Sequence, residues 1–207
     1  MGGQGACGGA ALAIAIVMLA LIATTAPAPL GALEVEMSEP AIERALRLAR
    51  FPASDADRAR FHRNYIVPIG GPTANGVRLE SIEIITEFRR MELIAEAHAR
   101  INDMFGRSSL TAPRRELTPW RGKVYVAAQV SLAGNAIAVP PIRAALDTLP
   151  PLGPAEVRDI YSENSVVGAI VAVPFESRAV AQTVRIVTVT TGRSVLGQAR
   201  IDFRIID

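Results

Sequence analysis

Two histidines are the chain's strongest candidates for acid–base or metal chemistry. One of them, His98, sits in the segment Thr86–Gly106, TEFRRMELIAEAHARINDMFG, among several glutamates. A helical metal pair or a helical acid–base pair needs a second ligand three or four residues away, because only those positions share a helix face. His98 has Ile94 and Ala95 behind it and Ile101 and Asn102 ahead. Glu96 is two residues off, on another face. The spacing therefore assigns His98 to packing rather than ligation. His62, in a short polar segment, reads as solvated. Glu80, Glu83 and Glu87 are close enough in sequence to suggest a carboxylate pair of the glycosidase type. With aromatics at 5% of residues and a single Trp, they read more simply as a polar edge.

Three further residues are candidates for binding. Trp120, in LTPWRGK at the junction of the two halves, is the only tryptophan; it reads first as packing between helix and sheet and alternatively as a binding anchor, since Trp and Arg carry a large share of interface energy. Arg89 and Arg90 are adjacent and suited to gripping a carboxylate or phosphate, although Glu92 and Glu87, each three residues away, offer intrahelical pairing. Trp120, Arg89, Arg90 and His98 are thus the candidate binding residues. No catalytic residue emerges. There is no G-x-S-x-G elbow, no phosphate loop ending in Gly-Lys-Ser/Thr, no G-x-G-x-x-G following a strand after the first thirty residues, and no Asp-rich calcium loop. No cofactor and no metal is expected.

The elements that must position these residues follow from periodicity. Ser38-Glu-Pro opens a short helix carrying Ile42, Ala45 and Leu46. Ser54 opens a second, more polar turn to about His62. Asn64–Gly76 reads as a loop. Residues 77–85 fit a strand or a helix; β-branched side chains favour a strand leading into a helix over 86–105. On that helix Phe88, Met91, Ala95, His98, Ile101 and Phe105 form an apolar stripe. Arg89, Glu92, Glu96, Arg100, Asp103 and Arg107 form a charged outer one, and Gly106 ends it.

After Trp120 the period changes to two. Strands are expected over Arg121–Leu132, in the return to 146 interrupted by Pro140-Pro141, over Ser165–Phe175, and in a hairpin from Val184 to Ile206 turning at Thr190–Arg193. Residues 147–164 read as a Pro-rich loop. The fold expected is α+β: a helical N-terminal part with one long amphipathic helix, packed on a C-terminal antiparallel, β-sandwich-like sheet. Residues 33–119 form the helical segment with one possible strand and 120–207 the β-domain, joined in one compact unit.

Residues 10–26, AALAIAIVMLALIATTA, carry no charge, and small residues and prolines follow. Residues 1–32 therefore read as a secretory signal peptide. An uncleaved anchor is the competing reading, the run being slightly short of the ~20 apolar residues a spanning helix needs. Cys7 is the only cysteine, so the processed chain has neither disulfide nor thiolate chemistry. The remaining ~175 residues suffice for a core, since chains of ~150 residues bury roughly 70% of their unfolded surface. Lys+Arg 22 against Asp+Glu 20 leaves a net +2 with no basic stripe, which argues against a nucleic-acid partner. Together these features point to an exported periplasmic or extracellular protein. The reading is a non-enzymatic binding or assembly module with an envelope protein as partner. The alternatives are a hydrolase built on a histidine and a glutamate, and a membrane-anchored accessory subunit that touches the membrane only through an uncleaved N-terminus.

Overall fold

A computed structural model describes residues 33–50, 54–136 and 138–206; the export signal expected at 1–32 lies outside them. The described chain is mixed α+β, with five helices and two open antiparallel sheets of five and three strands. No helix among the described residues is long and apolar enough to cross a membrane.

Helix α1 spans Glu39–Arg50. Ser38 caps it, its Oγ accepting from the Ala41 amide at 3.4 Å. Ala41, Ile42, Ala45, Leu46 and Ala49, at three- and four-residue spacing, are buried against Phe88, Met91 and Ala95. Helix α2 covers Asp55–Arg63 and the short strand β1 Ile66–Pro68. Asn75 and Gly76, both with positive φ, turn the chain into β2, Val77–Ile85. The broken alternation there has a physical cause. Val77 and Leu79 face the core, the register shifts between Leu79 and Ser81, and Ile82 and Ile84 face the core again. A β-bulge inserts one residue and so changes the parity of everything after it.

Helix α3 spans Glu87–Arg100, shorter than the 86–105 expected. Thr86 caps its start, Oγ1 accepting from the Arg89 amide at 3.0 Å. The end comes at Asn102 rather than Gly106. Asn102 takes the left-handed conformation (φ 57), its amide donates to the Ala99 carbonyl, and the Asp103 amide donates to the His98 carbonyl. This paired closure is a Schellman motif, which asparagine supports nearly as well as glycine. A second departure concerns sidedness. Arg89, Glu92 and Glu96, expected on the solvent face, are all buried; both flanks of α3 are covered.

Helix α4 (Thr111–Leu117) and a 3₁₀ turn (Thr118–Trp120) lead into β3, Lys123–Ala136. Then follow β4 (Ile142–Leu146), β5 (Glu156–Ser162), β6 (Ser165–Glu176), α5 (Ser177–Val180), β7 (Val184–Thr191) and β8 (Ser194–Asp202). The five-stranded sheet runs β1-β2-β3-β6-β5 and the three-stranded sheet β4-β7-β8. One apolar cluster draws on both: Leu79, Ile82, Val126, Val171 and Phe175 from the first, Leu146, Val187, Val189 and Leu196 from the second. Gly71 lies against β8, where an added Cβ would come within 2.4 Å of the Leu196 carbonyl oxygen. Three corrections to the expected strands follow. Pro140-Pro141 precede β4 instead of interrupting it, the segment 147–164 contains β5, and the expected loop Asn64–Gly76 contains β1.

Candidate functional site

The end of β2 beyond its bulge and the first turn of α3 bring together the residues most able to do chemistry. Arg89 is 1% exposed. Its Nε and Nη2 donate to Glu83 Oε1 at 3.1 and 3.0 Å, and Nη2 reaches His62 Nδ1 at 2.5 Å. Nη1 stands 3.6 Å from Glu92 Oε2. The guanidinium lies over the rings of Phe61 and Tyr65, at 5.1 and 4.8 Å. A guanidinium only donates, so His62 Nδ1 is the acceptor and its proton sits on Nε2, which faces Glu96 Oε2 at 3.7 Å. Both ring nitrogens are thus occupied by protein partners. This is a charge-compensation network that ties α2, β2 and α3 together, and its buried charges are held by mutual pairing.

Arg90 faces the other way. Its guanidinium stacks 3.8 Å above the Trp120 ring, and Trp120 tilts against Tyr125 at 4.8 Å. The Tyr125 hydroxyl donates to Glu156 Oε1 of β5 at 3.3 Å. Two of the sequence candidates, Arg90 and Trp120, therefore form one cluster, and it reaches the start of β5. Burial lowers the Arg90 pKa, with nearby Glu156 and Tyr125 opposing the shift. Of the Arg90 nitrogens Nε is sealed without an acceptor.

Among the described residues, strand β5 is the outer strand of the larger sheet, paired only with β6. On one face Glu156 and Arg158 follow the face of Tyr125; on the other, Val157 lies beside Val171. Val171 is in the core, but Val157 is 56% exposed, and Tyr161 is 65% exposed. The remaining edges offer less. β1 has three residues and ends in Pro68, β4 has only five and follows Pro140-Pro141, and β8 has Ile69 and Gly71 packed on Gly197 and Leu196. The regular stretch of β5 runs from Glu156 to Ile160, where a bulge follows.

His98 is brought to neither cluster. Its Nδ1 meets Asp103 Oδ2 at 2.6 Å, and its ring stacks on Phe105 at 4.0 Å. The side chain is half-buried, not core. It lines a cleft of about 500 Å³ with Met104, Ser108, Ser109, Arg115 and Glu116. A partner five residues on lies beyond any helical spacing rule; only the Schellman turn brings Asp103 back to the last turn of α3. Glu87, the remaining carboxylate, is buried and accepts from the Gly122 amide at 2.6 Å; burial raises its pKa against that hydrogen bond.

The His62–Arg89 contact joins residues 27 apart in sequence, so no local spacing could reveal it. Among the described residues no group of three His, Cys, Asp or Glu is placed to hold a metal ion. No family model matches the chain, no curated protein matches it, and no solved structure matches it.

Proposed function

We propose that this chain is an exported, non-enzymatic binding or assembly module that takes up an extended segment of a partner polypeptide along the edge of β5. The observation that carries the reading is Val157, a β-branched residue on an unpaired edge strand with 56% of its surface in water. Uncapped edges are hazards that proteins cover or use, and strand addition uses them for recognition. In this reading the two sheets act as a sandwich-like platform and the helices stiffen one end of it. Location at the cell envelope rests on the apolar run at residues 10–26.

The test is site-specific photocrosslinking in the native cell, with the reactive group at position 157, at 161, or at the exposed Gln198 of β8. Adducts to one polypeptide from 157 and 161, and none from 198, are the expected result. Equal adducts from all three positions, or none from 157, overturn the reading.

A hydrolytic reading has one observation in its favour, the His98–Asp103 pair in a cleft that also holds Ser108 and Ser109. Asp103 fixes Nδ1 and leaves Nε2 as the nitrogen able to take a proton. Labelling by a fluorophosphonate probe, lost in His98→Ala, would establish it; no labelling removes it.

A further inference from the structure

The edge strand carries information about what it binds. Residues paired across an antiparallel ladder share a face, so register assigns each side chain of β5. Arg158 pairs with Ile170, and Ile170 with Gln129; Glu156 pairs with Ala172, and Ala172 with Ala127. This is also the face of Tyr125, and with it of Trp120 and Arg90. Burial lowers the Arg90 pKa, Glu156 opposes that shift and Arg158 adds to it. Glu156 points inward to the Tyr125 hydroxyl. Two guanidinium groups therefore share one face of the sheet, with the Glu156 carboxylate between Arg158 and Tyr125 acting on Arg90, and among the described residues neither guanidinium forms a salt bridge. The opposite face of the same strand presents Val157.

Resting on the edge-docking reading, we propose that the partner segment alternates, with an acidic side chain opposite Arg158 and an apolar one opposite Val157. A strand added beside β5 sets its residues about 4.5–5.5 Å from those they oppose. A carboxylate at the position facing Arg158 forms the cross-strand ion pair and lies on the side of Arg90. Arg90 is already immobilised on Trp120, so little conformational freedom is lost when an anion arrives, and a planar guanidinium offers parallel donors to a carboxylate. The next residue of the segment covers Val157. A lysine or arginine facing Arg158 meets like charge and is rejected.

Trp120 is the only tryptophan, so its emission reports this site alone. The experiment titrates the protein with short blocked peptides of alternating valine and glutamate, valine and glutamine, or valine and lysine. Trp120 emission and β5 amide exchange are read together. The expected result is protection of β5 by the glutamate peptide with a change in Trp120 emission. Affinity should exceed that of the glutamine peptide by about ten-fold, the preference falling in both Arg158→Gln and Arg90→Gln. Equal affinity of the glutamate and glutamine peptides, with β5 protected by both, overturns the acidic preference and leaves edge docking standing. A change in Trp120 emission without β5 protection overturns the strand-borne carboxylate. No β5 protection by any peptide overturns both readings. The peptide comparison on the unaltered protein decides the matter even where Arg90→Gln fails to fold.

Discussion

Arg89 Nη2 and His62 Nδ1 lie 2.5 Å apart, 27 residues from each other in sequence. The contact fixes His62 as a neutral acceptor and makes Arg89 the point where α2 and β2 are fastened to α3. Removing the guanidinium would take away the cation that donates to half-buried Glu83 and stands 3.6 Å from buried Glu92. Losing one partner of a buried pair costs about 3–5 kcal/mol. Arg89→Met should therefore lower stability by that amount, read as a shifted urea midpoint. Arg89→Lys should recover only part of it, because an ammonium lacks the fork that serves Glu83 and His62 together.

Glu87 gives a pH signature. Burial raises its pKa, so the folded state binds this proton more readily than the unfolded chain. Its contribution to stability is fully present below the unfolded carboxylate value and is lost as pH rises through the higher folded value. The stability of the unaltered protein relative to Glu87→Gln should thus improve as pH falls through that window. A difference independent of pH would contradict it.

Asp202 behaves oppositely. The Arg204 side chain holds its carboxyl down to about 2, through Nε and Nη2 at 2.8 and 2.6 Å. Stability from this pair is present above the unfolded value and disappears as pH falls toward 2. In Arg204→Gln the Asp202 carboxyl should titrate near an ordinary aspartate, as followed by NMR.

His98→Ala should be mild. Its partner Asp103 is exposed, and surface ion pairs contribute about 0–1 kcal/mol. Replacing Asn102 with Ala should cost more than Asp103→Ala does, since the left-handed residue closes the helix; thermal unfolding of both variants makes the comparison.

Local physics made much of this fold legible. Ser38 announces its helix, and the hairpin β7–β8 follows from β-branched residues around a Gly turn. The misses share one cause, in that tertiary partners override local pattern. The charged stripe of α3 reads as solvent-facing from its period alone, yet Glu83 from β2 and His62 from α2 cover it. Strand β5 hides behind prolines at 150, 151 and 154, and its alternation is spoiled because Asp159 shares the core-side face with Val157, which is itself exposed. Among the candidate residues, Arg90 and Trp120 meet across 30 positions through the fold, and His98 finds its partner only through the turn at Asn102.

The most direct test of edge docking compares amide hydrogen exchange in the purified chain with that in the complex isolated from native cells. The account expects the outward amides of Glu156–Ile160 to exchange slowly in the complex and rapidly in the free chain, with β1, β4 and β8 unchanged. Protection confined to another edge, or none on β5, would contradict it.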